Sequence, residues 1–201
     1  MIKNIVFDIG NVLVKGRCSS ILNKMSCSEQ EKEIINNTFM SNYSELDLGK
    51  MTIGQYIEKC NMPKEIVEKY GDILRGYYKY RDLNYDLLKL IPRLKQHGYN
   101  IYYLSDNNKE AFNYWLNLPE FSCVDGYVVS CDYQCVKASR KLFEIFLSKY
   151  NLNPKECLFI DDRSINIEIA RKLGFKCILY ASDSDNFFDL ISYIRKQNIK
   201  L

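Results

Sequence analysis

Apolar residues fall into two rhythms along this chain, and the change between them organises everything else. From residue 85 onward, short apolar runs alternate with stretches whose apolar positions recur at helical spacing. A helical run over 85–96 comes first, and Asn100-Ile101-Tyr102-Tyr103-Leu104 then reads as a strand closing on Ser105-Asp106. A helix over about 109–118, a strand over 124–130 and a helix over 141–150 follow, the last marked by Leu142, Phe143, Ile145 and Phe146. Cys157-Leu158-Phe159-Ile160 is the next strand and ends in Asp161-Asp162. Residues 165–173 form a helix stopped by Gly174, and 176–180 a further strand. With Ile5-Val6-Phe7 near the start, this alternation predicts an α/β fold of right-handed βαβ units around a parallel sheet.

Residues from about 15 to 85 keep the helical rhythm alone, with patterns over 19–25, 28–40, 52–61 and 64–80 and no strand run. Ser28 and Glu31 spell the S-x-x-E capping box, and Thr52 suits an N-cap. A helical insertion placed directly after the first strand comes to lie over the carboxyl ends of the sheet, as a lid. The predicted division is a core of 1–14 and 86–201 with a helical cap of 15–85.

Composition narrows the function classes. The 201 residues suit one domain with a modest insertion, and 47% hydrophobic with 26% charged is ordinary for a globular chain. A net charge of +3, evenly spread, argues against a nucleic-acid partner. The eight cysteines are scattered without a C-x-x-C, so neither a disulfide framework nor a zinc site is expected. The N-terminus lacks a secretory signal pattern, and the first apolar run is too short to span a bilayer. The expectation is a reduced, cytoplasmic protein with no membrane partner. Oligomeric state is not legible.

Chemistry gathers at the strand ends. Asp8 follows the first strand, Ser105 the second, Lys137 the third and Asp161-Asp162 the fourth; in a parallel sheet all four share one edge. A carboxylate at the end of a buried strand, followed by the turn residues Gly10 and Asn11, is placed as a nucleophile. The adjacent carboxylates of Asp161 and Asp162 repel one another and call for a cation. A hard divalent ion with oxygen ligands, Mg²⁺, fits them together with Asp8 and a backbone carbonyl.

These motifs resemble those of the haloacid dehalogenase-like superfamily of aspartate-nucleophile hydrolases, over essentially the whole chain. Phe7-Asp8-Ile9-Gly10-Asn11-Val12-Leu13 matches the first motif and Leu104-Ser105-Asp106 the second. Lys137 matches the third, and the run from Phe159 through Asp161-Asp162 to Asn166 and Ile167 the fourth. Details of the first and fourth look like a subgroup containing bacterial sugar-phosphate phosphatases of the glucose-1-phosphate type. The resemblance implies a three-layer Rossmann-like core with a type-1 cap, and a Mg²⁺-dependent phosphohydrolase acting on a small phosphate ester through an aspartyl-phosphate. It implies Asp8 as nucleophile, Lys137 as its charge partner, and Ser105 with the amide of Asp106 on the phosphoryl oxygens. Asp8, the Gly10 carbonyl, Asp161 and Asp162 would hold the metal, with Asn166 bracing that loop.

Three positions depart from the family pattern. Gly10 stands where an aspartate usually protonates the leaving group, a function worth roughly 10²–10⁴ in rate. Glu45 or Tyr43 from the cap is a candidate substitute. Asp106 replaces a usual asparagine. Lys137 precedes Ala138 rather than proline, with Gln134 where glycine is common, which predicts a looser loop. Two alternatives therefore stay open: a catalytically weak or inactive binding domain, and a metal-independent 2-haloacid dehalogenase-like hydrolase, which the Asp161-Asp162 pair disfavours. His97 reads as a helix C-terminus, Arg17 and Arg163 as solvated side chains near the motifs, and the aromatic run Tyr77 to Tyr80 as hinge and core packing.

Overall fold

The structure, a computed structural model, describes residues 1–41 and 44–201; Tyr43 lies outside the described residues. Five strands, β1 (Asn4–Phe7), β2 (Asn100–Ser105), β3 (Gly126–Val129), β4 (Cys157–Asp161) and β5 (Lys176–Leu179), form one sheet in the order β3-β2-β1-β4-β5. Every pairing is parallel. Residues alternate between two buried faces, as period-two strands require. Ile5, Phe7, Ile101, Tyr103, Leu158 and Ile160 pack to one side, while Val6, Tyr102, Leu104 and Phe159 pack to the other.

Ten helices complete the chain among the described residues: α1 (Glu29–Thr38), α2 (Ser44–Asp47), α3 (Ile53–Lys59), α4 (Lys64–Arg75), α5 (Tyr85–Gln96), α6 (Lys109–Leu116), α7 (Ser130–Tyr133), α8 (Lys141–Lys149), α9 (Ser164–Leu173) and α10 (Phe187–Lys196). Helices α5, α6 and α10 cover the first sheet face, and α8 and α9 the second, which makes three layers. No helix among the described residues is long and apolar enough to cross a membrane.

The inserted segment is helical, and it contributes no strand among its described residues. Both expected N-caps form: Ser28 accepts from the Glu31 N–H with Glu31 answering, and Thr52 pairs with Gln55 in the same way. Two helices differ from expectation. The pattern over 19–25 is a 3₁₀ helix, Cys18–Lys24. The pattern over 64–80 breaks at Gly76, because glycine is a poor helix former and Tyr77 is drawn off the helix axis. The Tyr77 hydroxyl accepts from Asn108 Nδ2 at 2.8 Å, and its ring sits 6.1 Å from that of Phe39. A 3₁₀ turn, Tyr77–Tyr80, results, and Tyr77 serves as core packing. Ile35, Phe39, Leu46, Ile57 and Leu74 of the insertion join the same apolar cluster as Phe7 and Ile91.

Two connecting segments carry the chain out of the core and back, and they lie side by side. Lys15 N–H donates to Asp82 O at 2.7 Å and Asn84 N–H to Leu13 O at 2.8 Å, with Val14 bridged antiparallel to Leu83. The Arg81 guanidinium ties the same turn by donating to the carbonyls of Lys15 and Gly16.

Candidate active site

Strand register builds the site. Phe7 pairs with Tyr103 on one side and Ile160 on the other, so Asp8, Leu104 and Asp161 come level at the carboxyl edge. The chain turns away from β1 toward β2 and β3 on one side and toward β4 and β5 on the other. Such a switch opens a crevice beyond the strand ends. Asp8 sits there 6% exposed, its backbone N–H on Ile160 O at 2.9 Å and its carboxylate accepting the Ile9 N–H at 2.7 Å.

Lys137 lies on a 3₁₀ turn, Lys137–Ser139, beyond β3, and is 1% exposed. Its Nζ stands 2.9 Å from Asp8 Oδ1 and 2.6 Å from Asp161 Oδ2, and donates to Leu104 O at 3.3 Å. Gln134 itself adopts the left-handed conformation, φ 51°, that glycine would favour, and Lys137 is held without proline after it. Burial works against the Lys137 ammonium, but the charges of Asp161 and Asp8 outweigh it and hold its pKa above the usual range. Burial, reinforced by Asp161 and Asp162 and opposed by Lys137, pushes Asp8 up to about 8.

Asp161 is fully enclosed. Besides Lys137, it accepts from the Arg163 N–H at 2.8 Å and from Asn166 Nδ2 at 3.0 and 3.2 Å. Asp162 opens more to the cavity, and Asp8, Asp161 and Asp162 each offer a carboxylate oxygen within 4.8 Å of the others. Asp106 turns onto the loop of the lysine, where Oδ1 accepts the Lys137 N–H at 2.9 Å, and burial raises its pKa. Ser105 is fully buried at the end of β2, and its hydroxyl has no hydrogen-bond partner among the described residues. A side chain at Gly10 would meet open space.

A cavity of about 480 Å³ lies over this edge, lined by Asp8, Asp106, Lys137 and Asp162 from the core and by Arg17 and Asp47 from the insertion. Gly10, Arg81 and Arg163 also face it. Glu45 does not line it; Glu45 instead pairs with Lys59 at 2.5 Å.

Two further residues of this cavity, neither given a role from sequence, bear on the site. Asn11, left-handed at φ 56° and 2% exposed, donates to Asp162 Oδ2 and Asp183 Oδ1, both at 3.1 Å, and accepts from Ser182 Oγ. It holds Asp162 to the segment after β5, a long-range tie visible only once the chain is folded. The other is Asp47, at the end of α2. Its acidic type was visible, but the turn of helix that points it into the cavity was not.

Residues 2–174 match the family model described as haloacid dehalogenase-like hydrolase, and the chain belongs to that family. A D-ribitol-5-phosphate phosphatase of Bacteroides thetaiotaomicron is 27% identical over 190 residues, which cover 88% of this chain and 90% of the relative. Among solved structures, a haloacid dehalogenase-family enzyme of the same organism, in complex with magnesium and inorganic phosphate, superposes with a TM-score of 0.69 at 22% identity, covering 94% of this chain and 99% of that one. L-2-haloacid dehalogenase from Xanthobacter autotrophicus superposes at 0.66 with 14% identity, covering 100% and 85%.

Proposed function

We propose that this protein is a Mg²⁺-dependent phosphohydrolase that acts on a small phosphorylated metabolite, of the sugar or sugar-alcohol phosphate class, through an aspartyl-phosphate at Asp8. The observation that carries this reading is the buried Lys137 ammonium between Asp8 at 2.9 Å and Asp161 at 2.6 Å, with Asp162 beside them. The D-ribitol-5-phosphate phosphatase relative supports the substrate class.

The residues fit a divalent cation. Three carboxylates, each with an oxygen within 4.8 Å of the others, share one buried ammonium, which leaves room for a further positive charge among hard oxygen ligands. Asp8, the Gly10 carbonyl and Asp162 would hold Mg²⁺, which when bound supplies charge stabilisation to the phosphoryl oxygens. The oxygens of Asp161 are taken by Lys137, Asn166 and the Arg163 amide, so its part is to fix the lysine and to reach the metal at most indirectly. Asn166 braces Asp161 in turn.

Asp8 attacks phosphorus and takes the phosphoryl group; water then hydrolyses the acyl phosphate. Lys137 neutralises both nucleophile and phosphoryl charge, and the unpartnered Ser105 hydroxyl with the Asp106 amide binds phosphoryl oxygens. Residues 15–85 act as the cap over this edge, with Arg17 at the cavity mouth.

Hydrolysis of p-nitrophenyl phosphate and of a panel of sugar and sugar-alcohol phosphates, with Mg²⁺ and after chelation, tests the reading. Activity is expected with Mg²⁺, lost on chelation, and reduced roughly 10⁴-fold or more in Asp8→Asn. Wild-type rates no higher than those of Asp8→Asn would sink the reading and leave an inactive binding domain. Metal-independent halide release from a 2-haloacid would replace it with the dehalogenase alternative.

A further inference from the structure

We propose that Asp47 is the general acid–base of this site, supplied by the helical insertion where the first motif carries Gly10. The assignment rests on the phosphohydrolase reading and completes it.

Position is the first argument. Asp47 lines the same cavity as Asp8, half-buried, and its carboxylate has neither a hydrogen bond nor an ion pair among the described residues. The charged groups facing it are Asp106 after β2, Lys137 after β3 and Arg163 after β4. Those are the groups around the phosphoryl position. Asp8 attacks from the sheet, so in-line displacement sends the leaving oxygen away from the sheet, toward the insertion. Asp47 is a carboxylate of that segment open to the cavity.

The mount is the second argument. Leu46 is fully buried, and the Asp47 carbonyl accepts from Ser130 Oγ at 2.5 Å, Ser130 being fully buried at the start of α7. Gly49, at φ +66°, lets the chain press against α7 so closely that a Cβ there would stand 2.5 Å from Cys131 O. An unpartnered carboxylate on so constrained a support is held for a ligand, since stability alone would favour pairing or exposing it.

Its chemistry agrees. Burial, with the charge of Asp106 added and Lys137 and Arg163 opposing, pushes Asp47 up to about 7, so both protonation states are accessible near neutrality. In the first step, the Asp8 Oδ–P bond forms as the P–O bond to the leaving group breaks, and the Asp47 proton passes to that oxygen. In the second, the Asp47 carboxylate takes a proton from water as its oxygen bonds to phosphorus and the Asp8 Oδ–P bond breaks. Phosphate leaves and Asp47 is again protonated.

Leaving-group dependence tests this directly. Phenyl phosphate needs a protonated leaving group far more than p-nitrophenyl phosphate does. Asp47→Asn is expected to lower kcat on phenyl phosphate about 100-fold or more, and on p-nitrophenyl phosphate by at least tenfold less, with KM changed little. The alkaline fall of the wild-type pH profile on phenyl phosphate should disappear in the variant. Gly10→Asp has space for its side chain, and in the Asp47→Asn background it should recover phenyl phosphate turnover. Glu45→Gln, one residue from Leu46 on the same helix, should leave both rates near wild type. Equal losses on both esters with an unchanged pH profile, or no loss on either, would overturn the assignment while the phosphohydrolase reading stands. A wild type no faster than Asp8→Asn on both esters would remove that reading and this assignment with it.

Discussion

Charge is used in opposite ways at the sheet edge and in the insertion that faces it. At the edge, Asp8, Lys137 and Asp161 are almost fully enclosed and depend on one another. In the insertion, Lys69–Glu31 and Lys59–Glu45 pair at the surface, each with its lysine more than half exposed. Buried charge is costly unless it is paired, so the edge is tolerated for chemistry rather than for stability. Surface pairs are worth little, about 0–1 kcal/mol each, so losing one changes stability only slightly. Asp47 is the exception in the insertion: a half-buried carboxylate without a partner among the described residues, mounted by contacts of its own backbone and that of Gly49 with α7.

Lys137→Met puts the greatest strain on this contrast. It should cost roughly 10³-fold or more in kcat and about 3 kcal/mol in stability, because two buried carboxylates lose their counter-charge. The stability loss should be largest at neutral to alkaline pH. It should shrink on acidification, since protonating the stranded carboxylates removes the charge that is penalised. Urea unfolding of the metal-free variant and wild type at pH 7.5 and pH 5.5 measures both parts. A constant difference across that range would mean that lost packing, not lost charge, causes the effect.

Gly49→Ala asks whether the mount of Asp47 matters as much as its carboxylate. An added Cβ meets Cys131 O at 2.5 Å, and φ +66° disfavours any side chain, so α2 must shift off α7. The expected cost is roughly 2 kcal/mol, read as a lower thermal midpoint. Turnover of phenyl phosphate should fall by a larger factor than that of p-nitrophenyl phosphate, the same signature as Asp47→Asn in weaker form. Equal effects on both esters would show that the turn contributes stability alone.

The same contrast explains what could be read from the chain. The strands at the edge end in residues that periodicity and motif spacing locate, and parallel topology alone brings Asp8, Lys137 and Asp161-Asp162 together. Register then decides the contacts. The insertion carries no such rule. Its caps at Ser28 and Thr52 are local and legible, but the direction of Asp47 depends on Gly49 meeting Cys131 and on Ser130 reaching a carbonyl 83 positions away. Glu45 and Asp47 flank the same buried leucine, and nothing local says which one faces Lys59 and which the cavity. Asn11 is hidden for a similar reason, because its partners Asp162 and Asp183 lie at the far end of the sequence.

The smallest effects belong to the capping box of α1, and they sharpen the contrast from the other side. Ser28→Ala removes the acceptor for the Glu31 N–H and should cost about 1 kcal/mol, with no change in kcat on either ester. Glu31 adds a pH signature. The Lys69 ammonium, the Ser28 N–H and the Tyr70 hydroxyl hold its pKa down at about 2. A carboxylate depressed in the fold stabilises it fully above the ordinary carboxylate range and loses that contribution as pH falls toward 2. The difference in urea midpoint between wild type and Glu31→Gln should therefore be small at pH 7 and smaller still at pH 3.5. Both differences shrink on acidification, but for opposite reasons: at Glu31 a favourable pairing is lost from the wild type, whereas in Lys137→Met a repulsion is relieved in the variant. If Ser28→Ala or Glu31→Gln changed the ratio of the two ester rates, the start of α1 would be coupled to the placement of Asp47, and the insertion could no longer be divided into a solvated surface and one working carboxylate.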